Sequence, residues 1–231
     1  MILQDKVKAY GAKGDTASVL RVWADMKRAK VTVNSITAGC MLDACVKCGQ
    51  FQIVEDVFQE LKTLGLHKNT ILFTTLIKGY CRQKKLPLAL KAKADMLEDG
   101  VNLNVVTYNS LIDVCIRCRS FDVATSLVEE MRMKRIKLDL ITYSTLIKGY
   151  CSRGELPMAL ELRSLARNHG LRCDEILYNS LLDGCIKSGD ALAEGEQLFR
   201  EMVKEGVRPS TVTFAILIKL YGRHNRIEDA F

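Results

Sequence analysis

Residues 105–139 read VVTYNSLIDVCIRCRSFDVATSLVEEMRMKRIKLD. Tyr108, Leu111, Ile112 and Cys115 recur at spacings of three and four, which places them on one face of a helix. After Arg119 and Ser120 the pattern resumes with Phe121, Ala124, Leu127, Val128 and Met131. The stretch therefore predicts two antiparallel helices, A and B, joined by a short turn. Strand propensity is locally high at Ile141-Thr142-Tyr143 of a sister stretch, but no alternation supports a strand and the helical period outweighs it.

The same sentence is restated on both sides. TILFTTLIKGYCRQKKLPLALKAKADMLEDGVNLN begins at Thr70, LITYSTLIKGYCSRGELPMALELRSLARNHGLRCD at Leu140 and EILYNSLLDGCIKSGDALAEGEQLFREMVKEGVRPS at Glu175. The period is 35 residues, with one extra residue in the Glu175 copy that is expected in the loop near Gly189 to Ala191. More divergent copies occupy residues 35–69 and, lacking a first residue, 1–34; residues 211–231 begin a seventh. The chain thus divides into repeats 1–34 (partial), 35–69, 70–104, 105–139, 140–174, 175–210 and 211–231 (partial), read as one quasi-linear domain over 1–231. A helix pair of this size cannot close a core alone, so copies must stack, and function is to be read by position within the repeat. Neither end carries the polar face of a capping repeat, so a longer natural array is expected, with any organelle-targeting segment upstream.

Punctuation supports the same frame. Gly49, Gly154 and Gly189 stand at repeat position 15, where a glycine can end helix A in the left-handed conformation. Pro87 and Pro157 stand at position 18, where a missing N–H fits the first turn of helix B. Ala89, Ala124, Ala159 and Ala230 at position 20 are small enough to let helices approach Leu76, Ile77, Leu111, Ile112, Leu146, Ile147, Leu181 and Leu182 at positions 7 and 8 of helix A.

Hydrophobic residues make up 48% of the chain and only three prolines occur, which excludes a disordered polymer. No apolar run approaches the roughly 18 residues that cross a bilayer, so membrane insertion is not expected. Thirty-four basic against twenty-seven acidic residues give +7, which permits a polyanionic partner. Of the nine cysteines, Cys45, Cys115 and Cys185 fall at position 11 and Cys81 and Cys151 at position 12, as core residues of helix A rather than a disulfide framework.

A 35-residue helix pair with T-Y-N-S-L-I-D, Y-C, a glycine at position 15, A-L early in helix B, E-E-M and a closing G-V-x-P-S resembles the pentatricopeptide repeat family. The best-matched copies run from Thr70 to Ser210, and the tetratricopeptide alternative, with its 34-residue period and W-x2-L-G-x2-Y pattern, does not fit. The resemblance implies an all-α fold, a right-handed α-solenoid superhelix of stacked helix-turn-helix repeats. It further implies single-stranded RNA as partner, one base per repeat, and a mitochondrial or chloroplast location. No cofactor is implied.

Two positions carry base reading in that family, the fifth residue and the last. Here they are Thr74 with Asn104, Asn109 with Asp139, Ser144 with Asp174, and Asn179 with Ser210. Uracil and guanine present an N–H where cytosine and adenine present a bare nitrogen, so Asp139 and Asp174 suit the first pair and Asn104 and Ser210 the second. The resemblance adds that Thr or Ser at the fifth position accompanies purines and Asn pyrimidines, which gives 5′-A-U-G-C/U-3′. Gly39, Gln4 and Ala215 fall at the fifth position elsewhere and are not expected to select.

Position 2 holds Ile36, Ile71, Val106, Ile141, Ile176 or Val212, similar to the family's apolar wedges between which a base is sandwiched. The core-facing role passes to position 4, with Phe73, Tyr108, Tyr143, Tyr178 and Phe214. Position 13 holds Lys47, Arg82, Arg117, Lys187 and Arg223, a candidate phosphate-binding stripe broken by Ser152. Lys78, Lys148 and Lys219 at position 9 join it, while Asp43, Asp113 and Asp183 occupy the same place in alternate copies.

Cys45-x2-Cys48 and Cys115-x2-Cys118 mimic a zinc pattern, but their equivalent positions two repeats apart keep the sulfurs from sharing an ion, and no metal is expected. His67, His169 and His224 lie near linkers or helix ends with no nucleophile at a repeated spacing, so no catalytic residue is assigned. Glu129-Glu130 and Glu55-Asp56 read as solvated helix faces. The alternative function is a structural subunit of an organellar ribosome or other large complex, without base readout.

Overall fold

A computed structural model of the chain describes residues 2–29, 31, 34–66, 69–189, 191–226 and 228. His67 and Ala230, and the side chain of Gln4, lie outside the described residues. Among them the regular structure is helical. The chain forms two compact units, Met1–Glu130 and Met131–Phe231.

In the first unit the A helices are α1 (Ile2–Lys13), α3 (Ser35–Lys47), α5 (Thr70–Arg82) and α7 (Val105–Arg117). The B helices α2 (Thr16–Arg28), α4 (Phe51–Thr63) and α6 (Leu86–Glu98) alternate with them, and α8 (Phe121–Met133) begins there. Each A helix packs on the next, α1 on α3, α3 on α5 and α5 on α7. Each B helix packs on its own A helix and on the following one. The second unit repeats the arrangement with α9 (Leu140–Ser152), α10 (Leu156–Asn168), α11 (Glu175–Ser188), α12 (Leu192–Lys204) and α13 (Thr211–Arg223). The result is one layer of A helices and one of B helices in each unit.

Sequence accounts for where each helix starts. The last residue of every copy, Asn34, Asn69, Asn104, Asp139, Asp174 or Ser210, is the N-cap of the next A helix, and its side chain accepts a backbone N–H of the first turn. Pro87 and Pro157 are the second residues of α6 and α10, where no N–H is needed.

It accounts for the ends as well. Position 15 is left-handed in every copy, at Gly14, Gly49, Lys84, Arg119, Gly154, Gly189 and Asn225. In the copy with Arg119, the Ser120 N–H then reaches back to the Cys115 carbonyl at 2.8 Å, which closes α7. At Gly154 there is a second demand, because an added Cβ would stand 3.1 Å from the Lys187 carbonyl oxygen of the next copy. The extra residue of the Glu175 copy does not lengthen the loop as expected. It lengthens α11 to 14 residues, since another residue inside a helix adds its own hydrogen bond whereas a longer loop adds none.

The core lies between the layers. Leu111, Ile112, Leu181 and Leu182 of positions 7 and 8 are fully buried, as are Ala89 and Ala159 of position 20. Each such leucine contributes about 1.5–3 kcal/mol by burial. Tyr108, Tyr143, Tyr178 and Phe73 fill position 4 without exposure, and Phe73 meets Phe58 edge to face at 5.2 Å. Phe214 departs from this expectation and is 49% exposed, because among the described residues α13 packs only on α11 and α12. The position-11 and position-12 cysteines are buried, and all nine cysteines are free thiols. Burial pushes the Cys81, Cys151 and Cys185 thiols up to about 12, which leaves them unreactive as thiolates.

Candidate nucleic-acid interface

The position-2 residues do not join the core. Ile36, Ile71, Val106, Ile141, Ile176 and Val212 are between 44% and 71% exposed, although the next residue of each helix, Thr37, Leu72, Thr107, Thr142, Leu177 or Thr213, is buried. The A helices α3, α5, α7, α9, α11 and α13 so each set one branched apolar side chain into solvent near the N-terminus. Between Ile36 and Ile71 lies a cavity of about 370 Å3, lined also by Gly39 and Asn69, the fifth and last residues of that copy, and by Asp43 and Lys78. A Cβ on Gly39 would meet only Leu72 and Ile71 side chains at 3.6 and 3.7 Å, so the room there comes from the missing side chain.

The fifth and last residues are tied together through helix geometry. Asn104 Oδ1 accepts from both the N–H and the hydroxyl of Thr107, each at 3.0 Å. The Thr107 proton is thereby committed, so Thr74, whose Oγ1 is 2.7 Å away, donates to Thr107 and turns a lone pair outward. With Oδ1 used twice, Asn104 is left with its N–H2 to offer. Asp139 Oδ1 accepts the N–H and hydroxyl of Thr142, both at 2.8 Å. Asn109, buried on α7, belongs to the first unit and Asp139 to the second.

The other two pairs differ. Thr213 donates to Asn179 Oδ1 at 2.8 Å, which orients the Asn179 amide N–H2 away from it and toward Glu175. Ser210 accepts the Thr213 N–H and donates its own N–H to the Thr213 hydroxyl, a capping box. Asp174 accepts only the Leu177 N–H at 2.8 Å, and Ser144 has no hydrogen-bond partner among the described residues. Position 6 is different again, because Thr75, Ser110, Thr145 and Ser180 spend their hydroxyls on the position-2 carbonyl of their own helix. Of the polar residues on this face, the fifth and last are therefore the ones whose hydrogen bonding varies between copies.

Family models of the PPR repeat match residues 36–66, and of the PPR repeat family residues 68–117, 103–152, 141–187 and 173–223, in register with the helix pairs. The chain belongs to the PPR repeat family. Over 60 residues it is 32% identical to a pentatricopeptide repeat-containing protein of Arabidopsis thaliana, covering 26% of this chain and 13% of that one. Over 76 residues it is 29% identical to the small ribosomal subunit protein mS79 of the same plant, covering 32% of this chain and 19% of that one. Among solved structures, the pentatricopeptide repeat protein PPR10 from maize superposes over 99% of this chain and 37% of its own, with a TM-score of 0.74 at 20% identity. PPR10 in complex with an 18-nucleotide psaJ RNA element gives the same TM-score at 24% identity, over 99% of this chain and 33% of that one. These likenesses establish an all-α helical repeat solenoid. The PPR chain described here spans a small part of the length of the curated relatives it matches.

In the PPR frame the position-13 cations have neighbours that the sequence does not announce. Arg82 donates to the Val46 carbonyl at 3.1 Å and Arg117 to the Cys81 carbonyl at 2.6 Å, and Arg223 donates likewise to Ile186. Each arginine thus adds a side-chain donor to a carbonyl at the end of the preceding A helix, those of Val46 and Cys81 already accepting the Gly49 and Lys84 N–H, and Arg117 also pairs with Asp113 at 2.9 Å. Lys47 pairs with Asp43 at 2.6 Å and Lys187 with Asp183, one turn earlier. A cavity of about 380 Å3 joins Lys47, Lys78, Arg82 and Arg117 with Asp43 and Asp113. Among the described residues no three of His, Cys, Asp and Glu gather as a metal would require.

Glu130 corrects one expectation. It is not a solvated face but is half-buried, paired with Lys93 of the preceding repeat and accepting the Tyr108 hydroxyl at 2.9 Å. The next unit repeats the device with Arg163, Glu201 and Tyr178. Glu60 and Asp95 likewise take Lys27 and Lys62 from the B helix of the preceding copy, at 3.3 and 3.5 Å. The signal present in sequence was an acid at position 26, or 27 in the copy with the extra residue, with a cation at position 24 or 28 of the preceding copy.

Proposed function

We propose that this chain binds single-stranded RNA, one base per repeat, and reads 5′-A-U-G-C/U-3′ from its N-terminal side in the processing, stabilisation or translation of an organellar transcript, in a mitochondrion or chloroplast. The observation that carries this reading is the exposure of the position-2 side chains Ile71, Val106, Ile141 and Ile176, each in a copy whose fifth and last residues are hydrogen-bonding side chains. A stack of bases needs apolar surfaces to separate its members and polar atoms to read their edges.

Hydrogen-bond polarity supports the letters. Thr74 offers a lone pair and Asn104 a donor, the complement of the adenine N6–H and N1. Asp139 and Asp174 are carboxylates, acceptors suited to the N–H of uracil and guanine. Asn179 donates one amide N–H to Glu175 and has a second for a pyrimidine carbonyl. Arg82, Arg117 and Arg223, with Lys47, Lys78, Lys148, Lys187 and Lys219, supply positive charge along the A helices for phosphate.

The second reading, a structural subunit of an organellar ribosome or other large complex, is favoured by the similarity to mS79 and by Gly39 and Ala215 at fifth positions. Selection from a random single-stranded RNA pool separates the two. Enrichment of A-U-G followed by a pyrimidine, with poor binding to the same sequence as a duplex, is the expected result. Recovery of RNA without a motif, or tighter binding to the duplex, overturns base reading and moves the assignment to the structural subunit.

A further inference from the structure

We propose that the third residue of helix A is a positioning residue for base choice: a buried threonine there locks the fifth residue of one repeat and the last residue of the same repeat into a single hydrogen-bonded arrangement. This rests on the base-reading function proposed above.

The third residue is inaccessible to RNA. Thr107, Thr142, Thr213 and Leu177 are all 0% exposed, so any influence on a base must pass through another side chain. Thr107 is the shared partner of the Thr74 and Asn104 side chains, at 2.7 and 3.0 Å. Its one proton sets the direction of the chain of hydrogen bonds, from Thr74 to Thr107 to Asn104, and so decides which atoms the two reading residues present. Thr213 does the same in another sense, by donating to Asn179 Oδ1 and fixing the flip of that amide.

Where leucine stands at the third position the arrangement loosens. Asp174 keeps a single hydrogen bond, from the Leu177 N–H, and Ser144 is not tied to it. Next to Leu72, Asn69 leaves the geometry of the other caps, with φ −142° and ψ 127° in place of about −100° and 175°, and accepts the Ile71 N–H instead. A side chain that must be immobilised on binding gives up part of its discrimination, whereas one already held does not. The Thr74 and Asn104 pair is therefore the more selective of the two purine sites, and the Ser144 and Asp174 pair the less.

The test measures binding of the 231-residue chain and its variants to A-U-G-C, G-U-G-C and A-U-A-C RNAs at one salt concentration, with thermal unfolding of each variant. Thr107→Val is expected to lower the preference for A over G at the first letter roughly three- to tenfold, the worth of one hydrogen bond, with the third letter unaffected. Thr107→Ser restores it, because the hydroxyl returns. Leu177→Thr raises the preference for G over A at the third letter by a similar factor. A wild type without preference at the first letter sinks base reading itself. A wild-type preference that persists unchanged in folded Thr107→Val sinks the positioning role and leaves base reading standing. Should Thr107→Val fail to fold, an unaltered third-letter ratio in Leu177→Thr overturns the proposal on its own.

Discussion

The guanidinium of Arg163 lies 5.1 Å from the ring centroid of Tyr178 and donates to that tyrosine's hydroxyl at 2.9 Å. Arg163 is 7% exposed, yet it remains charged, because Glu201 pairs with it and Glu205 stands 3.9 Å away. Arg167 joins at 3.5 and 3.2 Å from the two glutamates. One arginine of α10 thus bonds to α11 and α12 of the next repeat and fixes how the repeats stack.

This cluster makes stability depend on acid. Burial pushes Glu201 up, but hydrogen bonds from Arg163 and Gln197 outweigh it and hold its carboxyl below the usual 4.5. A carboxylate with a depressed pKa stabilises the fold fully above 4.5 and loses that contribution as pH falls through its lower folded value. Wild type should lose more melting temperature between pH 6 and pH 3 than Glu201→Gln does. At pH 7 the substitution should cost about 1.5–3 kcal/mol, as for a hydrogen bond to a charged group, measured by urea unfolding. Parallel pH profiles of the two proteins would remove Glu201 from the account.

Left-handed backbone at position 15 gives a second, opposite pair of expectations. Arg119 has φ 59°, a conformation that costs a residue with a side chain about 1 kcal/mol. Arg119→Gly should therefore stabilise by about 0.5–1 kcal/mol, after the entropy lost by glycine is subtracted. Gly154→Ala should destabilise, by about 1–2 kcal/mol, since it adds both the left-handed strain and a contact with the Lys187 carbonyl. Urea midpoints moving the other way at either site would show that the turn relaxes.

How far the sequence went is visible in these same residues. Helix boundaries were legible because glycine, proline and the 3.6-residue period report on the local chain, and the exposure of position 2 was legible because position 4 already supplied the core. The links between repeats were not. Lys93 to Glu130, Arg163 to Glu201 and Arg117 to Cys81 join residues 36 to 38 positions apart. A periodic pattern tells which face a side chain occupies, and only the packing of two copies tells what it meets. The role of Asn104 as helix cap was open to inspection in its type and place, an Asn just before an apolar helix, and the proposed reading role falls on the same residue.

Exchanging one atom group tests the third letter. Asp174 accepts from the N–H edge of guanine in the proposed complex, whereas an asparagine there can donate to the bare N1 of adenine. Asp174→Asn should shift the preference from A-U-G-C toward A-U-A-C by about 1–3 kcal/mol, the worth of a good base contact. Its stability should change little, since asparagine caps a helix as well as aspartate does. Equal ratios for the two proteins would show that the reading frame is misplaced.

Arg117 separates phosphate from base. Arg117→Ala should weaken binding to all RNA sequences alike and reduce the salt slope by roughly 0.7 for a lost phosphate contact to a single strand. A thermal penalty of about 0.5–1 kcal/mol should accompany it, because one inter-repeat hydrogen bond to the Cys81 carbonyl is lost while the Lys84 N–H still serves that carbonyl. A loss confined to one RNA sequence would assign Arg117 to a base.

The exposed isoleucines and valines at position 2 in each unit also bear on the unliganded molecule. Six branched side chains at 44–71% exposure are surface that water disfavours and that another chain can cover as readily as a base. Colloidal behaviour is then coupled to occupancy: the bare protein should self-associate at high concentration, and a short oligonucleotide should keep it dispersed.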